Sequence, residues 1–149
     1  MSYARIVVGT DGSEPSLVAV GRAAELAASE HAELEVVCAY HPMRAREQAR
    51  VTTGLDDTRR RVTGTVAAQQ ALDAALRRAE SAGATVHGRL AEGDAVETIL
   101  AAAKQSAAEL VVVGSTGINS IKGRLLGSVP SLVVHRATCD VLIVYASDT

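Results

Sequence analysis

Phenylalanine and tryptophan are missing altogether, and tyrosine occurs three times. Since 48% of the residues are hydrophobic all the same, the core must be built from Val, Leu, Ile and Ala. An excess of one charge is also lacking, because the net charge is −2. No global field therefore recruits nucleic acid or an anionic membrane surface, and neither is expected as a partner. Apolar runs stop at strand length, well short of the ~20 residues of a membrane span. A secretory leader is not expected, since Asp11, Ser13 and Glu14 arrive before any adequate apolar run. Cysteine is scarce: Cys38 and Cys139 stand in no metal or redox spacing, so a reducing cytoplasm is the expected compartment.

What the chain does have is an alternation of apolar runs with helix-period segments. Its 149 residues fit one compact domain, 1–149. "ARIVVG" (4–9) is nearly continuous in hydrophobicity, as a strand covered on both faces should be. Ser13 then offers an N-cap and Pro15 a first-turn proline, and Leu17, Val20, Ala24 and Ala27 fall on one helical face. "AELEVVCAY" (32–40) reads as a second strand. A helix follows over 64–82, with Ala68, Leu72, Ala75 and Ala79 on its stripe and Gly83 as its stop. "TVHGRLA" (85–91) is a weaker strand, Val96, Ile99, Leu100 and Ala103 mark a third helix, and "AELVVVG" (108–114) is the clearest strand. A short helix from about Ser128 leads to "CDVLIVYA" (139–146). Strands separated by helices require right-handed crossovers, so the expected fold class is α/β, a single doubly wound five-stranded parallel sheet with helices on both faces.

In such sheets ligands sit beyond the carboxyl ends of the strands, which directs attention to "GTDGS" after the first and "GSTGINSIKGRLLGS" after the fourth. The second stretch spells Gly114-x2-Gly117-x9-Gly127-Ser128. Gly114 and Gly117 allow positive φ and a close ligand approach. Successive N–H groups can form an anion-binding concavity, and a helix opening at Gly127-Ser128 adds donors that attract phosphate. An ordinary loop with a serine N-cap fits the same residues. Between strand two and the next helix lies 41–63, without clean period and with arginines at 44, 46, 50, 59, 60 and 61. It reads as a solvated, mobile connection or as a lid whose arginines meet phosphates.

GxxGx9GS after the fourth strand, together with "IVVGTDGSE" at the first, closely resembles the universal stress protein family over nearly the whole chain. The resemblance implies strand order 3-2-1-4-5 in an adenine nucleotide alpha hydrolase-like fold and a homodimer. Members with this glycine pattern bind adenine nucleotides, usually ATP, and the "GRLLGSVP" segment is similar to that of mycobacterial members known as cyclic AMP binders. Carried onto this chain, it implies that Gly9, Thr10 and Asp11 lie beside the nucleotide. Ala39 would hold adenine through its backbone, and Val113 and Gly114 would flank base and ribose. Thr116, Gly117, Gly127, Ser128 and Val129 would cradle the phosphates, with Ser120, Lys122 and Arg124 as further contacts. The function implied is a regulator, sensor or nucleotide buffer in the stress response.

A carboxylate at Asp11 beside a triphosphate implies a bridging Mg²⁺ or Mn²⁺ if the ligand is ATP; with cyclic AMP it would bond a ribose hydroxyl or loop N–H groups. Asp11-Gly12 also suits an Asx-turn, and both roles can coexist. Motifs for other phosphate sites are missing, with no GxGxxG after strand one and no Gly-x4-Gly-Lys-Ser/Thr. A receiver domain would need clustered acids after strand one, and a flavin carrier would favour aromatics. His31, His41, His87 and His135 are scattered, so no catalytic residue is expected, which leaves a slow ATPase or a vestigial pocket as alternatives. The last strand, an edge rich in Val and Ile, is expected to pair with its counterpart in a homodimer.

Overall fold

The computed structural model describes residues 2–42, 64–116 and 127–146. The arginines of 43–63, and Gly117, Ser120, Lys122 and Arg124, lie outside the described residues. Five strands, β1 (Arg5–Thr10), β2 (Glu33–Tyr40), β3 (Thr85–Glu92), β4 (Leu110–Gly114) and β5 (Asp140–Val144), alternate with four helices among the described residues. These are α1 (Glu14–Glu30), α2 (Thr65–Ser81), α3 (Ala95–Ser106) and α4 (Ser128–Arg136). All pairings are parallel and the sheet order is β3-β2-β1-β4-β5, as expected.

Strand alternation divides the core into two layers. Ile6, Val8, Leu34, Val36 and Cys38 pack with the buried alanines of α1 and α2 on one face. Val7, Val37, Val111 and Val113 meet Val96, Ile99 and Val133 of α3 and α4 on the other. Alanine takes the place of the absent aromatics: Ala19, Ala23, Ala24 and Ala27 turn a bare helix flank onto the sheet and are fully buried. Each large aliphatic side chain buried between these layers contributes about 1.5–3 kcal/mol. β3 is an edge strand with no fully buried residue, which is why its hydrophobic signal is faint.

The helix ends follow their capping residues. Ser13 caps α1 by accepting the Ser16 N–H at 3.3 Å, with Pro15 in the first turn. α2 gives way to Gly83 at φ +84°. Gly64 donates its N–H to the His41 carbonyl at 2.8 Å, so the chain leaves β2 and enters α2 at one point of the sheet edge.

Cys38, fully buried, has its thiol pushed up from the ordinary 9.0 to about 11, first by burial and then by the nearby Asp11 charge. Above about pH 9 the unfolded chain releases a proton that the folded chain keeps, so this contribution to stability is intact at lower pH and falls between about 9 and 11. Urea midpoints at neutral pH and near about pH 10 should therefore converge when Cys38→Ala is compared with the parent chain. An alkaline loss that Cys38→Ala leaves untouched would assign it to other groups.

Candidate functional site

The ladders differ in length at the carboxyl edge, and that difference makes the site. β1 stays paired with β2 as far as Thr10–Cys38, and β4 with β5 as far as Gly114–Val144. Between β1 and β4 the register ends at Val8–Val112. β1 and β4 thus part at the point where the winding reverses, the position at which doubly wound sheets bind ligands.

On the β1 side the turn is internally satisfied. The Asp11 carboxylate accepts the Ser13 N–H at 2.9 Å and the Ser13 hydroxyl through the same oxygen, Oδ1. That is the Asx-turn expected at Asp11-Gly12. Thr10 Oγ1 and Ser16 Oγ lie 2.9 Å apart, both residues buried, and Thr10 Oγ1 also accepts the Gly12 N–H at 3.2 Å. Ser16 binds back to the Ser13 carbonyl at 2.9 Å. Gly12 sits at φ +82°, and a Cβ there would lie 2.9 Å from the Ala71 Cβ of α2. This turn is a rigid wall held between two helices.

The β4 side is different. Ser115 continues the ladder, donating its N–H to the Val144 carbonyl at 2.9 Å, and its own carbonyl accepts the Gly127 N–H at 2.9 Å. These bonds fix the start of α4 against the end of β4. Gly127, not Ser128, is the N-cap, with no side-chain cap bond, and Ser128 is the first helical residue. Ser131 is the first residue to bond back into α4, to the Gly127 carbonyl at 3.2 Å. The N–H groups of Ser128 and Val129 come before the first helical bond, Pro130 has no N–H to satisfy, and no acid occupies the first turn. The exposed end has the field of a helix N-terminus, which favours an anion.

The expected residues arrive with distinct parts to play. Gly9, Thr10, Asp11, Gly114, Thr116, Gly127 and Ser128 all stand at this edge, and Ala39 lies one register position past the last β1–β2 pair. Val113 is buried among the residues facing α3 and α4, and Val129 packs against the same cluster, so both can offer a ligand backbone groups alone. Gly9 faces Ile99, whose Cδ1 would stand 2.5 Å from an added Cβ, so Ile99 packs against its backbone. Gly114 does not use the positive φ that glycine allows. Its reason is proximity, since a Cβ there would meet the Pro15 carbonyl oxygen at 3.3 Å and that of Thr116 at 3.5 Å.

Two residues of the site were not singled out from the sequence. Ser16 has a signal, a hydroxyl three residues after an N-cap. Ser115 has none, because what distinguishes it is its burial at the β4–α4 corner.

No group of three or more His, Cys, Asp or Glu among the described residues could hold a metal ion. No described helix is long and apolar enough to cross a membrane.

Comparison with known proteins agrees with this geometry. The model of the universal stress protein family matches residues 2–145. A universal stress protein of Mycobacterium tuberculosis is 44% identical over 147 residues, covering 98% of this chain and 99% of that protein. A universal stress protein of Bacillus subtilis is 31% identical, covering 95% and 99%. Among solved structures, a universal stress protein in complex with cAMP is 37% identical with a TM-score of 0.72, covering 99% of this chain and 100% of the other.

Proposed function

Starting from the fact that this chain belongs to the universal stress protein family, we propose that it binds an adenine nucleotide, cyclic AMP or ATP, in the crevice between β1 and β4. It acts there as a regulator, sensor or nucleotide buffer of the stress response in the cytoplasm. The observation that carries this reading is the asymmetry of the crevice. The β1 wall has spent its hydroxyls on itself, whereas the β4–α4 wall presents a helix N-terminus with no side-chain cap. Donors left over at a rigid corner suit phosphate. The relative solved with cAMP lends the ligand class.

Binding rather than turnover is the reading because none of the described residues around the crevice is an evident general base for water attack. If ATP is the ligand, Asp11 would help hold a divalent cation between itself and the phosphates; with cyclic AMP there is little for a metal to bridge. Calorimetric titration of nucleotide-free protein with cyclic AMP, and with ATP with and without Mg²⁺, tests this. Saturable binding of either supports the reading, and a metal requirement for ATP would give Asp11 its bridging role. Binding of neither would sink it. ATP turnover that survives to constant specific activity and falls in Asp11→Ala would favour a slow ATPase instead.

The reading includes a homodimer formed through the last strand, residues 139–146. β5 is an edge strand, Tyr145 just beyond it is 62% exposed, and Leu132 and Val134 of α4 are exposed as well. An edge of this kind invites pairing. Sedimentation at micromolar concentration should give a dimer, and a monomer there would rule the strand pairing out.

A further inference from the structure

Thr10 Oγ1, at the end of β1, and Ser16 Oγ, in the first turn of α1, lie 2.9 Å apart with their residues only 7% and 6% exposed. A hydroxyl has one proton to give and two lone pairs to offer, so the neighbours of this pair fix which of them donates. The Ser13 carbonyl can only accept, and Ser16 Oγ donates to it at 2.9 Å. Ser16 Oγ must then accept from Thr10, whose own proton is committed to that bond. Ser16 Oγ also accepts the Asp11 N–H at 3.4 Å, and Thr10 Oγ1 accepts the Gly12 N–H at 3.2 Å.

Two buried oxygens therefore hold the backbone of Asp11, Gly12 and Ser13, the three residues that link β1 to α1. Ser13, fixed in this way, gives both its N–H and its hydroxyl to Asp11 Oδ1. The carboxylate is thus set through a chain of contacts that begins at Ser16. Helix capping does not require that chain. The Leu17 N–H already bonds to the Ser13 carbonyl at 3.0 Å, and Ser13 Oγ accepts the Ser16 N–H at 3.3 Å. A helix start is complete with those two bonds. The Thr10–Ser16 pair adds a fixed direction for the turn between strand and helix.

We propose that Ser16 is a positioning residue of the nucleotide site, its buried hydroxyl acting through Thr10 and Ser13 to aim the Asp11 carboxylate at the bound nucleotide. This rests on the nucleotide-binding reading above. Thr10, with its proton committed to Ser16, has none to donate to a ligand.

The test is calorimetry on the full chain with cyclic AMP and with ATP plus Mg²⁺. It compares the parent, Ser16→Ala, Thr10→Val, Asp11→Ala and the Ser16→Ala/Asp11→Ala double variant. Thermal melts of the ligand-free proteins set a temperature at which the compared chains are folded. With the nucleotide that the parent binds, Ser16→Ala is expected to weaken binding roughly fivefold or more. In the Asp11→Ala background the same change should cost less than about twofold, because no carboxylate remains to be aimed. Thr10→Val removes the other hydroxyl of the pair and should match Ser16→Ala, which keeps the proposal testable if Ser16→Ala does not fold. Equal weakening with and without the Asp11 carboxylate overturns the proposal and makes Ser16 a packing residue. So does full affinity in Ser16→Ala or in Asp11→Ala while the parent binds. A parent chain that binds neither nucleotide overturns the underlying reading, and this proposal with it.

Discussion

Gly12→Ala should cost about 2–5 kcal/mol of folding stability, the sum of two separate effects. The first is conformational: Gly12 sits at φ +82°, where a Cβ crowds the following carbonyl at about 1–2 kcal/mol. The second is steric, since the added Cβ would come 2.9 Å from the Ala71 Cβ on α2. Neither partner is the flexible end of a long side chain, so relief requires moving the turn or the helix, at about 1–3 kcal/mol. Urea denaturation measures the total, and a double-mutant cycle with Ala71→Gly separates the halves. The steric part should be recovered in the double variant and the conformational part kept. A cycle with no coupling would mean the turn yields freely, and a loss below about 1 kcal/mol would discard the rigid wall as a feature of the site.

Gly114→Ala is expected to act on binding more than on stability. Its φ is not positive, so alanine meets no conformational penalty of the kind found at Gly12. The added Cβ would instead stand 3.3 Å from the Pro15 carbonyl oxygen and 3.5 Å from that of Thr116. Both are backbone atoms, one at the start of α1 and one in the loop leaving β4. A few tenths of an ångström of displacement widens the crevice between its two walls, and it separates donors that must converge on one phosphate. We expect at least a tenfold drop in nucleotide affinity, about 1.4 kcal/mol, with a comparable or smaller loss of stability. Calorimetry with cyclic AMP and ATP beside urea denaturation gives both numbers. Full affinity in Gly114→Ala would mean that the approach of β4 to α1 does not shape the site.

Much of the fold could be read directly because each buried strand carries its own burial signal. Residues 4–9 and 108–114 are continuous apolar runs, and they became β1 and β4, two of the three interior strands, covered on both faces. Ser13 and Gly83 mark helix ends by local chemistry and did so here. The weaker reading at 85–91 has a cause as well, for β3 is an edge and packs by half. The candidate site was proposed from the glycines and the serine after strand four and the carboxylate after strand one, of which Gly114, Gly127, Ser128 and Asp11 fall at one edge of the sheet. Its detail was not legible in the sequence. For Gly114 the anticipated uses were positive φ and close approach to a ligand; its φ is not positive, and the close neighbour found is the Pro15 backbone. Val113 was expected to flank base and ribose, and the burial of its side chain leaves its backbone groups for that role. Ser115 passed unnoticed beside its glycine neighbour.

The sequence by itself determined the α/β class, the alternation of elements and the aliphatic core. Periodicity, capping and turn chemistry act over a few residues, so a linear reading captures them. Only the tertiary structure decided where β1 and β4 part, which hydroxyls are already bonded and which glycine is small because another backbone lies against it. Those facts belong to pairs such as Gly12 with Ala71, Gly114 with Pro15, and Ser115 with Gly127, separated along the chain and joined by packing. A single chain position carries no mark of its partner's distance.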